Sequence, residues 1–274
     1  MILDNKRLQL EKSESRLGFT TTGGSGGAWK VWDRFITLDG EKLFHIGNIC
    51  GTCAFFFRQL KNDIQGSYAI DELKENLNKG VKSLDIHTLD ILSKILPATK
   101  PEDKNYCEYD ALLLEINPHI TRFNDKGDYF KEDQSKLWYD ADEETDSIGA
   151  AYYRGIDSKI TDNEKLYEFY IPLYQPEQLN TERVNYYREK IRKGIKPTAI
   201  SLSVVDAKTS MIYIDEPADG ITGHWCFANY MLDGHHKMYA AALEKKPITL
   251  ISFLTRDFSW QVTDQLIKHY KTIK

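Results

Sequence analysis

Apolar positions recur at two distinct spacings along the 274-residue chain. VWDRFITL (31–38) and EKLFHIGNI (41–49) alternate on either side of Asp39-Gly40, and Asp-Gly between two alternating runs predicts a β-hairpin. IDELKENL (70–77), closed by Gly80, and DIHTLDILSKIL (85–96), closed by Pro97, follow a helical spacing. Ile86, Leu89, Leu92 and Leu96 form the stripe of the second. ALLLEI (111–116) predicts a buried strand, stopped by Asn117-Pro118. Between these runs, the Gly/Ser/Thr-rich residues 13–28 and residues 98–108 read as loops. Residues 50–61 read as a short helix opening at the CGTC segment. The polar, acidic stretch 124–149 shows no period and reads as a long surface loop or inter-domain connection.

The texture changes at residue 166. LYEFYIPL (166–173) predicts a strand ended by Pro172 and Pro176. Thr181 is placed to cap a helix from Glu182 to Lys193, with Val184, Tyr187 and Ile191 on its buried side and Gly194 at its end. TAISLSVVDA (198–207) alternates as a strand, and MIYID (211–215) is placed to pair back to it. YMLD (230–233) then leads into a helix from about His235 to Lys245, followed by the strand ITLISFL (248–254) and a helix over about 262–270. This order predicts an α+β chain. An N-terminal α+β region of unknown fold (1–150) precedes a C-terminal mixed sheet with helices (151–274).

Composition narrows the function classes. Hydrophobic residues make up 41% and charged residues 28%, which suits a globular protein. A net charge of −5 and a pI of about 5.9 do not suit non-specific attraction to a nucleic-acid backbone. No run reaches the roughly 18 apolar residues of a membrane span, and the charged start MILDNKRLQLEKSESR lacks a signal-peptide core. Four cysteines in a chain of this length do not make a disulfide framework, so a reducing cytoplasm is expected.

The candidate chemistry centres on YMLDGHHKMYAAA (230–242), where a strand runs through Asp233-Gly234 straight into a helix. The first turn of a helix has unpaired N–H groups and a partial positive charge. Gly234 permits a sharp turn, and His235, His236 and Lys237 add side-chain donors at the same end, so a phosphate or other anion is the expected ligand. Cationic residues there oppose the helix dipole, a local conflict that points to function. Exposed polar residues at a helix start are the alternative.

Order and spacing from EFYIPL to ITLISF resemble the ParB/sulfiredoxin superfamily, over about a third of the chain. The matching features are Pro172-Leu173, the helix 182–193, Gly194 with Pro197, the strand 198–207, Asp233 to Lys237 with Ala240 and Ala241, and the strand 248–254. The nearest local match is the DGHHR turn of the free-serine-kinase-like branch, with Lys237 in place of Arg. The sulfiredoxin-type turn has Cys where His235 stands, and the ParB-type turn has Glu and Arg at His235 and His236. No helix-turn-helix follows, which disfavours DNA as a partner. The resemblance implies a nucleotide or other phosphorylated small molecule at that turn, with ATP or CTP and Mg2+ as cofactors.

A phosphotransferase or nucleoside triphosphate hydrolase on this plan would bind phosphate through Asp233, Gly234, His235, His236, Lys237 and Arg183. Asp233 would hold the metal or orient His236. Glu177, Glu182 or Glu216 would take a hydroxyl proton. The alternative is a non-catalytic ligand-binding or regulatory module that keeps the turn. Outside this region, Cys50-Gly51-Thr52-Cys53 has the spacing of half a zinc site. His45 is close in sequence and Cys107 could join through folding, but no second pair accompanies it; a redox CxxC is disfavoured further because no thioredoxin-like βαβ surrounds it, and packing of two small residues beneath AFFF is the favoured reading. GGSGG (23–27) lacks the Lys-Ser/Thr of a P-loop, DADEETD (140–146) lacks Ca2+-loop spacing, and His224 is read as structural.

Overall fold

The computed structural model describes residues 1–23, 33–61, 70–101, 104–138, 150–209, 217–259 and 262–272. The expected strand MIYID and the carboxylate Glu216 lie outside them, as do the DADEETD run and most of GGSGG. In the first half the strands are β1 (Ile2–Leu10), β2 (Leu17–Thr22), β3 (Asp33–Leu38), β4 (Glu41–Asn48) and β5 (Arg58–Gln59). Then come α1 (Lys74–Lys79), α2 (Ile86–Ser93), β6 (Cys107–Ile116), β7 (His119–Arg122) and α3 (Tyr129–Glu132). The second half holds β8 (Ala151–Arg154), β9 (Ser158–Lys159), β10 (Glu164–Ile171), α4 (Thr181–Arg192), β11 (Thr198–Thr209), β12 (Gly223–Asp233), α5 (His235–Glu244), β13 (Ile248–Thr255) and α6 (Thr263–Thr272).

Among the described residues two sheets form. The large one has the order β1-β6-β13-β11-β12-β10-β8-β7, with β9 paired to β10; the small one has the order β2-β3-β4-β5. The large sheet is mixed: β10 with β12 and β11 with β13 are parallel, and its other pairs are antiparallel. Strands from both sides of residue 150 share it. Ile2 of β1 pairs with Leu114 of β6, and Ile116 of β6 with Ile248 of β13.

Both faces of this sheet are covered. Leu112, Leu114 and Ile116 pack with α4, α5 and α6 residues such as Val184, Met238 and Leu266. Ala111 and Leu113 pack on the other side with the small sheet, α1 and α2 through Ile36, Leu77 and Leu92. Alternate side chains of a strand point to opposite faces, so burial of both faces produces the unbroken apolar run ALLLEI. No helix among the described residues is long and apolar enough to cross a membrane.

Local chemistry sets several boundaries. Asp39 and Gly40 both take positive φ, 53° and 81°, giving the primed turn whose twist matches the β3–β4 strands. Asp85 caps α2 by accepting a hydrogen bond from the Thr88 N–H at 2.8 Å. The cap of α4 is Asn180 rather than the expected Thr181; its side chain accepts from the Arg183 N–H at 2.9 Å.

Residues 50–61 do not form the expected helix. They run through a turn into extended chain that ends in β5, with Phe55 and Phe57 alternating into the core against Phe169. Cys50 and Cys53 are joined in a disulfide rather than packed as free thiols. In that form neither sulfur is the thiolate that zinc binds.

Candidate functional site

Parallel pairing of β10 with β12 brings their carboxyl ends to one edge, with Ile171 beside Tyr230. The segments that follow, 172–180 and 233–236, therefore lie side by side. A crevice outside the carboxyl ends of parallel strands is where open α/β sheets bind ligands. A cavity of about 400 Å3 opens there. Leu173, Tyr174, Gln178 and Leu179 form one wall, Leu232 to Lys237 the second, and Arg183 and Tyr187 of α4 the third.

A fourth wall comes from the N-terminal region: Ile70, Asp71, Lys74, Leu77 and Asn78. Two hydrogen bonds hold α1 and the chain just after it against the second half. The Tyr187 hydroxyl donates to Asn78 Oδ1 at 2.8 Å, and the Val81 N–H donates to Thr198 Oγ1 at 2.8 Å.

Gly234 caps α5 in the left-handed region, with φ 92° and ψ 19°. A Cβ there would sit 2.7 Å from the Ala199 Cβ and 2.8 Å from its Cα, so only glycine fits against β11. The first hydrogen bond of the helix runs from the Met238 N–H to the Gly234 carbonyl at 2.8 Å. The amides of His235, His236 and Lys237 therefore stand at the open end of the helix, beside the cavity that these residues line.

The side chains of the turn do not act as the sequence suggested. His235 is buried, and its Nε2 accepts from the Leu173 N–H at 3.0 Å. A nitrogen that accepts carries no proton, so the ring is the neutral Nδ1–H tautomer. Burial, only partly opposed by Asp233, pushes its pKa down to about 4. His236 is half-buried and its Nε2 accepts from the Asn180 N–H at 3.2 Å; burial and then Arg183 lower its pKa. Neither ring is the cationic donor expected at a phosphate. Both instead clamp the 173–180 segment to α5.

Lys237 is also buried. Its Nζ donates to the Thr198 carbonyl at 2.8 Å and lies 3.5 Å from Asp233 Oδ2, and burial lowers its pKa against the pull of Asp233. The apparent conflict with the helix dipole is thus relieved by local pairing.

No family model, curated protein or solved structure matches the chain.

Of the expected residues, the structure brings Asp233, Gly234, His235, His236, Lys237 and Arg183 together around the cavity. It does not bring Glu177 or Glu182 there. Glu177 is exposed and ion-paired with Arg122, which holds its carboxyl below the usual range. Glu182 sits on the exposed first turn of α4 and does not line the cavity. The carboxylates on the cavity wall are Asp71 and Asp233, and its added cations are Lys74 and Arg183.

Asp71, Lys74, Asn78 and Tyr187 were missed as site residues. A helix over 70–77 was legible, but its docking on α4 depends on the Asn78–Tyr187 contact, which joins residues 109 apart. His224 is structural, as read: it is buried, and its Nδ1 lies 2.9 Å from the Tyr129 hydroxyl. Among the described residues no group of three or more His, Cys, Asp or Glu side chains is arranged to hold a metal ion. A cation at Asp71 or Asp233 would need ligand oxygens and water to complete its shell, as Mg2+ commonly does.

Proposed function

We propose that the protein binds a nucleotide or another phosphorylated small molecule in the cavity at the start of α5, as a ParB/sulfiredoxin-like protein. The observation that carries this reading is the cavity of about 400 Å3 bounded by the first turn of α5 and by Arg183 and Lys74. Its volume lies in the range of about 300–1,000 Å3 typical of small-molecule sites. Helix-start amides with a nearby guanidinium suit phosphate oxygens. Ile70, Leu77, Leu179 and the rings of Tyr174 and Tyr187 offer an apolar wall for a base and sugar. The succession β10, α4, β11, β12, α5, β13 is the order that the sequence resemblance implies.

Phosphoryl transfer from ATP or CTP, or hydrolysis of either, would draw on Asp71 or Asp233 as the carboxylate near the phosphates, alone or through Mg2+. Glu177 and Glu182 have no such part. A second reading, a ligand-binding module without catalysis, is favoured by the engagement of Asp233 with Lys237 and of both histidines with backbone amides.

Thermal shift with ATP, CTP, ADP and pyrophosphate, with and without Mg2+, tests binding. Phosphate release from whichever compound binds separates the two readings. A shift that Arg183→Ala removes supports the site; no shift with any of the four compounds overturns it.

A further inference from the structure

We propose that Cys50 and Cys53 form a reversible thiol–disulfide exchange site, separate from the cavity. The Thr209 N–H donates to the Gly51 carbonyl at 2.8 Å, which places the pair at the far end of β11 from Thr198. At the rise of an extended strand that is roughly 35 Å from the start of α5.

Four observations point to exchange rather than to a structural staple. The bond spans a sequence separation of three, and so short a loop removes little chain entropy from the unfolded state. Both cysteines are partly exposed, which an attacking thiol requires.

The loop is also held without the bond. The Cys50 N–H donates to Asn48 Oδ1 at 3.1 Å, and the Cys50 carbonyl accepts from the buried Lys208 Nζ at 2.7 Å. The Thr52 carbonyl accepts from Trp138 Nε1 at 2.9 Å. After cleavage the two thiols therefore stay near one another, ready to close again. Finally, the Thr52 hydroxyl lies 3.3 Å from Cys50 Sγ and can donate to a thiolate there.

The remaining cysteines contrast with this pair. Cys107 and Cys226 are buried, and burial pushes both thiols up, Cys107 to about 11. A protonated, enclosed thiol is unreactive.

The co-reactant is a dithiol. One of its thiolates attacks Cys53 Sγ; a sulfur–sulfur bond forms there as the Cys50–Cys53 bond breaks. The electron pair leaves on Cys50, whose thiolate the Thr52 hydroxyl steadies and which then takes a proton. The second thiolate of the reductant attacks its own sulfur in the mixed disulfide, and Cys53 leaves and is protonated. The protein gains two electrons and two protons, and the reductant closes to a disulfide.

The test uses the full chain without denaturant. Samples treated with dithiothreitol, or left untreated, are quenched in acid. They are then returned to neutral pH without denaturant, alkylated with N-ethylmaleimide and weighed intact. Untreated protein is expected to take up no adduct and reduced protein two, with Cys107 and Cys226 protected. Oxidised glutathione should return the count to zero, and circular dichroism of the reduced form should match that of the oxidised form. Two adducts that persist after oxidised glutathione would overturn the proposal. So would a bond that dithiothreitol opens only once guanidinium is added.

Discussion

The imidazole of His235 accepts a hydrogen bond from the backbone N–H of Leu173, 62 residues earlier, at 3.0 Å. The contact ties the exit of β10 to the first turn of α5. His235→Ala would leave that buried amide without a partner and a void where the ring packs. A loss of about 2–4 kcal/mol is expected by chemical denaturation, from the orphaned donor and the cavity together. A loss below about 0.5 kcal/mol would show that the contact does not hold the turn.

Acid should weaken the fold before any carboxylate pair breaks. His235 and His224 both have pKa values pushed down to about 4 by burial, from an ordinary value of 6.5. Between those values the unfolded chain binds protons that the native state excludes, so stability rises with pH through the window. It is complete above about pH 6.5 and falls toward pH 4. Each histidine contributes roughly 3 kcal/mol of pH dependence at most. Denaturation midpoints across pH 4–7 measure this, and a flat profile in wild-type protein would refute it.

Gly234→Ala should cost about 2 kcal/mol or more, because a left-handed cap and contact with Ala199 both reject a Cβ. Denaturation reads the stability. Any ligand that the wild type binds at the turn should bind less tightly to the variant, since the helix start must shift.

Arg183→Ala should weaken phosphate-compound binding about tenfold or more, the loss expected for one charged hydrogen bond, with little change in stability because the residue is exposed. Glu182→Ala, one residue earlier but off the cavity, should leave binding unchanged. Calorimetric titration of both variants separates a cavity residue from a merely neighbouring one; equal losses would place the ligand elsewhere.

Elements closed by their own chemistry were legible in the sequence. The β3–β4 hairpin follows from Asp39-Gly40, and α5 follows from Gly234 and its apolar stripe. β1 was not legible. Asp4 and Lys6 mask the alternation of Ile2, Leu8 and Leu10 in a strand at the sheet edge, and its partner β6 begins 97 residues after its end, with Leu10 opposite Cys107. The position of the strand-to-helix turn at Gly234 was readable, but the roles of its histidines were not. Whether an imidazole meets a ligand or a backbone amide depends on where residues 173 and 180 come to rest, and only tertiary structure decides that.

Leu173 is gripped from both ends of the chain: His235 takes its N–H, and Gln59 Nε2 donates to its carbonyl at 3.2 Å. Together with the wall supplied by α1, this makes the crevice a joint product of distant segments. A C-terminal fragment excised at residue 150 would carry the whole DGHHK turn and still lack part of the chamber, so dissection of the protein along that line would separate the recognisable motif from the walls that enclose the space beside it.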